Sequence, residues 1–412
     1  MDFKPREYQQ EISERGFKIL NKLNILVLNL EVRCGKTITS FLVAEKAKCK
    51  SVLFITKKKV IDSNTILNDY NLVKPSFSLS QINFESVHKI NAKDFDLIIV
   101  DESHSLGAYP KPSQRTKKVK EIVGTKRVIL LTGTLTPESY SQIYNQFWIS
   151  EFSPFVEKTF YKWAHNYVNV TKKKINGYDV NNYSDAKENL IRQKTSKYIL
   201  TYTQEKAGFT TKVNEHILYV KMKPTTYQLA DKLKKDLVFE GKNGGVILAD
   251  TGVKLLQKVH QIYSGTVKLE DGTGVILDTS KADFIKEKFK GKKIGIFYKF
   301  KQELKLLQQV FGDNITTELN EFDTTSKNMA LQIISKREGI SLKNADYLIF
   351  LNIDYSATSY FQAKDRMTTK ERLQNDVYWI FSKGGIEDHI YKQVVNKKNF
   401  TLDHFKRLPA VL

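Results

Sequence analysis

Short apolar runs, each about six residues long, recur between longer mixed segments. They are Ile25–Leu30, Ser51–Thr56, Asp96–Asp101, Arg127–Thr132, Lys293–Tyr298 and Asp346–Asn352, rich in Val, Ile, Leu and Phe. Unbroken runs of this length fit strands buried on both faces of a parallel sheet. The mixed segments Thr37–Lys48 and Val60–Asp69 supply crossover helices, so the chain reads as α/β. The runs fall in two groups, roughly residues 20–135 and 290–355. Between them lies a stretch rich in Lys, Tyr and Asn, including Lys172-Lys173-Lys174. The expected organisation is a first domain over 1–150, a mainly helical insertion over 151–223, and a second domain over 224–412. Within the last, Gly265–Asp278 alternates about Asp271-Gly272 and predicts a small hairpin.

The candidate chemistry sits at the ends of three runs. Ile25–Leu30 leads into Glu31-Val32-Arg33-Cys34-Gly35-Lys36-Thr37, Asp96–Val100 into Asp101-Glu102-Ser103-His104, and Val128–Leu131 into Thr132-Gly133-Thr134. Ligands of open parallel sheets bind at the carboxyl ends of strands, so three polar clusters there imply one shared site. Gly35-Lys36-Thr37 offers backbone N–H groups, an ammonium and a hydroxyl where a strand meets a helix. That set suits β/γ-phosphates and a Mg²⁺ ion. The full phosphate-loop pattern is not met, because Leu30 stands where its first glycine belongs. An acid pair at the end of a fully apolar strand completes the set. Asp101 would hold the metal through water, and Glu102 would orient and deprotonate an attacking water. The combination predicts an ATP or GTP site.

Charge adds a partner. The 412 residues carry 66 Lys and Arg against 45 Asp and Glu, a formal net of +21, which favours polyanions and nucleic acid above all. Two cysteines, Cys34 and Cys49, exclude a four-cysteine zinc site and fit a reducing cytoplasm. No apolar run approaches the roughly 18 residues of a membrane helix, and the first residues do not predict a leader. Cys34 reads as a small filler beside Gly35, and the aromatic cluster Phe160, Tyr161, Trp163 and Tyr167 as a core stripe.

The ordered motifs resemble those of superfamily-two DExH helicases and translocases. Asp101-Glu102-Ser103-His104 resembles the DExH box, Thr132-Gly133-Thr134 the third motif, and Phe3–Gln10 the upstream adenine-reading motif with Gln9 in the key place. Ser51–Lys57 and Asn83–His88 resemble strand motifs that touch the nucleic-acid backbone. Arg337–Leu342 resembles motif five, and Gln362-Ala363-Lys364-Asp365-Arg366 the opening of motif six. Leu-Thr-Gly-Thr with Pro137, and Leu255–Tyr263 leading to a hairpin and Lys281, point to a compact Swi/Snf-like branch typical of viruses.

The resemblance implies two RecA-like parallel-sheet lobes with ATP and Mg²⁺ between them, and ATP-driven tracking along DNA in replication, recombination or repair. Duplex, branched or single-stranded DNA would be the partner, without sequence specificity, alongside replication or recombination proteins. It implies Arg33, Cys34, Gly35, Lys36, Thr37 and Gly339 around the nucleotide, with Gln9 on the adenine and Thr37 and Asp101 on the metal. It places Lys57, His88, His104, Thr132, Thr134 and Gln362 in DNA contact and coupling. Arg366 and Arg372 would bring positive charge to the γ-phosphate from the second lobe. Thr369 stands where motif six usually has its second arginine, and Arg372 or Lys370 would take that role. The alternatives are an RNA helicase and a nucleotide-gated DNA-binding protein with little turnover.

Overall fold

The computed structural model describes residues 3–175, 178–209, 211–241, 244–333, 341–356, 363, 365–369, 372 and 374–395. Two compact units divide between Phe209 and Thr210. The first contains strands β1 (Ile25–Leu30), β2 (Ser51–Thr56), β3 (Ser78–Asn83), β4 (Leu97–Val100), β5 (Arg127–Thr132), β6 (Thr171–Ile175), β7 (Tyr178–Asn182) and β8 (Ile199–Tyr202). Six of them form one wholly parallel sheet in the order β3-β2-β4-β5-β1-β8. Side chains alternate between faces along each strand. In β1, Ile25 and Val27 therefore enter one core cluster, while Leu26, Leu28 and Leu30 enter another on the opposite side. Helices α1 (Glu7–Leu23) and α2 (Lys36–Lys46) cover the second side through Leu20, Phe41 and Val43. Each fully buried aliphatic side chain there contributes about 1.5–3 kcal/mol relative to an exposed one.

The second unit contains β9 (Lys212–Val220), two short hairpins and a second sheet. The hairpins pair β10 (Val238–Glu240) with β11 (Val246–Leu248), and β12 (Thr266–Lys268) with β13 (Gly274–Ile276). The latter is the hairpin expected within 265–278. The sheet adds β14 (Ile294–Tyr298), β15 (Ile315–Thr316), β16 (Asn328–Gln332), β17 (Tyr347–Phe350) and β18 (Gln374–Ser382). Its order is β15-β16-β14-β17-β18-β9, again all parallel. The expected α/β class with two RecA-like parallel-sheet lobes is thus observed.

The boundaries differ from those expected. Residues 151–223 form no separate helical insertion. Helices Phe160–Tyr167 and Glu188–Thr195 are joined by the antiparallel β6–β7 ribbon, β8 closes the edge of the first sheet, and β9 already belongs to the second. Phe160 and Trp163 are buried in the first unit's core, as a core stripe requires, whereas Tyr161 is exposed. The helix expected at Val60–Asp69 is two helices, Lys58–Asp62 and Thr65–Val73, split where Asn64 turns left-handed at φ 54°. No helix among the described residues is long and apolar enough to cross a membrane.

A polar chain runs through the core of the second unit. His260 Nε2 meets Asn352 Oδ1 at 2.5 Å, and Asn352 Nδ2 donates to Glu303 Oε1. The other Glu303 oxygen accepts the Lys299 and Phe300 N–H groups at 2.6 and 2.8 Å. Burial, with the Lys299 ammonium nearby, pushes the His260 imidazolium down to a pKa of about 3. An unfolded histidine takes up its proton near 6.5. Between those values the unfolded chain binds a proton that the folded chain refuses, so stability falls as pH falls. Burial raises the Glu303 carboxyl, so as pH falls it takes up its proton in the folded state above the usual carboxylate range, and its contribution has the opposite sign. From pH 7 to 5.5 the second unit should therefore lose about 1 kcal/mol through His260. Amide exchange in β14 should show the wild type losing about 1 kcal/mol more than His260→Gln over this range, since Glu303 is common to both. The same pH profile in both would contradict it.

Candidate nucleotide site at the carboxyl edge of the first sheet

Three adjacent strands, β4, β5 and β1, deliver the three polar clusters to one edge. After β1 the chain turns through Arg33, left-handed at φ 66°, to Gly35 at φ 70°, which begins α2. A left-handed arginine is strained, and such strain collects at functional loops. At Gly35 a side chain is excluded twice. The φ disfavours it, and a Cβ would overlap Gln9 Nε2. Gln9 is buried, its Oε1 accepting the Arg6 N–H at 3.0 Å, so α1 presses an amide against the loop where an adenine reader is expected. Cys34 is buried in the core, and its carbonyl accepts the Tyr8 hydroxyl at 3.4 Å. It serves the loop through its backbone and volume.

The first N–H groups of α2 have no side-chain cap among the described residues, which leaves a helix N-terminus suited to an anion. Lys36 Nζ lies 3.6 Å from where a Cβ on Gly133 would stand, and Leu30 O lies 3.4 Å from it. The cluster after β5 thus packs directly on the loop.

Asp101 follows β4. Its Oδ2 accepts the Thr56 hydroxyl at 2.8 Å and its Oδ1 the Glu102 N–H at 3.0 Å, so the carboxylate is held from both sides. Glu102 is left-handed at φ 48°, a second strained residue at this edge. Glu102 Oε2 lies 3.2 Å from His104 Nδ1, which is also 3.3 Å from Thr132 Oγ1. Thr132 Oγ1 accepts the Thr134 N–H at 3.0 Å. The acids are therefore tied to the cluster after β5, which is tied to the loop. Mg²⁺ takes one or two carboxylates plus water and phosphate oxygens. The Thr37 hydroxyl and Asp101 carboxylate fit that donor set, and no cluster of three or more His, Cys, Asp or Glu among the described residues offers an alternative cage. Lys57 follows β2 and caps the next helix, while His88 is exposed in a turn after β3, both at this same edge.

Several contributors were not visible in the sequence. Thr56 positions Asp101 from 45 residues away. Glu31 Oε2 accepts the Gln204 N–H at 2.6 Å, and Gln204 Nε2 donates to Val32 O at 2.8 Å. Tyr8 stacks on Tyr202 at 4.7 Å. These residues after β8 brace the loop, and only the β1–β8 pairing brings them there. Ser103 Oγ donates to Gln146, whose Nε2 donates to Leu135 O.

In the second unit, Arg366 lies in the turn Asp365–Met367, nearly buried, its carbonyl accepting the Leu342 N–H at 2.9 Å. Arg372 requires a correction. Its guanidinium donates to the carbonyls of Lys343, Ala345, Asp346 and Gln374 at 3.3, 2.8, 2.8 and 3.2 Å. Those carbonyls lie at the amino ends of β17 and β18, opposite the edge where parallel sheets bind ligands. Arg372 therefore ties two strands together and is not available as a second cation for phosphate. Gly339, Gln362 and Lys370 lie outside the described residues.

No protein-family model and no curated protein matches this sequence. Among solved structures, the chain is similar to the Sulfolobus solfataricus SWI2/SNF2 ATPase core in complex with dsDNA, at 18% identity and a TM-score of 0.43, over 98% of this chain and 93% of that one.

Proposed function

We propose that this chain is an ATP-dependent DNA translocase or helicase. The observation that carries the reading is the convergence of Gly35-Lys36-Thr37, Asp101-Glu102 and Thr132-Gly133 on adjacent strands, with Lys36 against Gly133 and His104 between Glu102 and Thr132. Bound ATP with Mg²⁺ supplies the phosphoryl group and the cation that neutralises it. Lys36 would pair with phosphate charge, while Thr37 and Asp101 would hold the metal. Glu102 accepts the proton of the attacking water, and His104 fixes its carboxylate. Lys57 and His88, after β2 and β3, would meet a phosphate backbone passing this edge.

The test is ATP turnover alone and with single-stranded DNA, duplex DNA, forked DNA and RNA. Stimulation by DNA is the expected result. Stimulation by RNA alone would make it an RNA helicase, and tight DNA binding without turnover would make it a nucleotide-gated binder. With a net charge of +21, DNA affinity should fall with salt along a log–log slope of several units. A flat plot would remove the basic surface as the grip.

A further inference from the structure

Outside the nucleotide site, the first unit carries a feature none of whose described side chains is buried in its core. The β6–β7 ribbon pairs Thr171 with Asn182, Lys172 with Asn181, Lys173 with Val180 and Lys174 with Asp179. Thr171, Lys172, Lys173, Lys174, Asp179, Val180 and Asn181 are all exposed, so both faces are wet. A two-stranded ribbon with no buried face is marginal by itself. This one is held at its base instead. The Ser139 and Ser141 hydroxyls donate to the carbonyls of Ser184 and Tyr183 at 2.7 and 2.5 Å. Val168 bridges Ala186, and the Tyr183 ring packs 5.4 Å from Phe160 in the core. The ribbon thus stands out from a fixed stem. Alternation puts Lys172 and Lys174 on one face and Lys173 on the other. None of the three makes an ion pair among the described residues. Asp179 is the sole acid between 171 and 182.

We propose that this ribbon is a separate DNA-binding element that enters the major groove of B-form duplex DNA. The major groove is about 12 Å wide and admits a two-stranded ribbon. Five residues per strand give roughly 17 Å of reach at about 3.4 Å each. Lysines on both faces would meet the phosphates of both groove walls. The major groove of A-form RNA is too deep and narrow for it, and a single strand has no groove. The proposal rests on the nucleic-acid part of the function proposed above, and names which polyanion this element takes.

The test compares wild type with Lys172→Ala/Lys173→Ala/Lys174→Ala and with the same three positions changed to Arg. Affinity is read by anisotropy of labelled duplex DNA, duplex RNA and single-stranded DNA across a salt series. Because all three side chains are exposed, the alanine variant should fold, and its melting curve checks this. For duplex DNA the alanine variant should lose on the order of 10²-fold in affinity at physiological salt, with a salt slope shallower by roughly 2–3 units. Arginines should restore both. Duplex RNA and single-stranded DNA should change by less than about threefold. Equal losses on all three polyanions would overturn the groove assignment. Unchanged duplex affinity in a wild type that binds DNA would overturn the element itself and leave the proposed motor intact. A wild type that binds no nucleic acid would overturn both.

Discussion

Glu102→Gln is expected to bind ATP within about threefold of wild type and to hydrolyse it more slowly by on the order of 10²-fold or more. The two effects separate because the amide keeps the size of the carboxylate but cannot accept a proton at neutral pH. The site makes the substitution a clean one. Glu102 holds its left-handed backbone through its N–H bond to Asp101, which the change does not touch. Its side chain meets His104 at 3.2 Å, and an amide oxygen can still accept from that ring. Position and packing survive, and the base is lost. Nucleotide affinity by a fluorescent ATP analogue and steady-state turnover, measured on the same preparation, decide the matter. Wild-type turnover in Glu102→Gln would remove the general-base role.

The largest stability effect is expected at Lys281, in the helix Ser280–Lys288. Its ammonium lies 2.5 Å from Glu387 Oε1, with Leu351 O at 3.4 Å, and the pair is 1% and 0% exposed. The same Glu387 oxygen accepts the Ser382 N–H at 3.3 Å. Leu351 follows β17 and Ser382 ends β18, so this pair holds the carboxyl ends of two central strands. Removing one partner of a buried pair strands the other charge, at a cost of about 3–5 kcal/mol. Lys281→Met should destabilise the second unit by that amount. Lys281→Met with Glu387→Leu should recover much of it, because no buried charge remains. Denaturant dependence of amide exchange in β18 reads the effect within the unit concerned. A loss under about 1 kcal/mol in the single variant would show that the pair is solvated or dispensable.

The sequence made the first sheet and its chemistry legible because both are local. Runs such as Ile25–Leu30 and Arg127–Thr132 declare buried strands, and the polar clusters come after them without a gap. Strand β3 is less apolar because it is an edge, and the described side chains of β6 and β7 form no buried face to pattern. The bracing of the loop by Gln204 and of Asp101 by Thr56 depends on strand order, which periodicity does not encode. Arg372 shows the limit most directly. A position six residues after Arg366 is compatible with a shared helical face, but Thr368, Thr369 and Arg372 are not helical, and the Arg372 side chain turns to the amino ends of β17 and β18.

The position of β8 has a consequence for synthesis. β1 leaves the ribosome early, yet one of its two neighbours is a strand that begins at Ile199, and the Glu31–Gln204 bond spans 173 residues. At about 5–20 residues per second, roughly 10–35 s pass between the emergence of its two ends. During that interval one edge of β1 is unpaired and the loop lacks its brace. The nascent first unit therefore exposes an apolar strand edge to other chains, which is a route to aggregation. It gains a finished nucleotide loop only after the last strand of its sheet has been made.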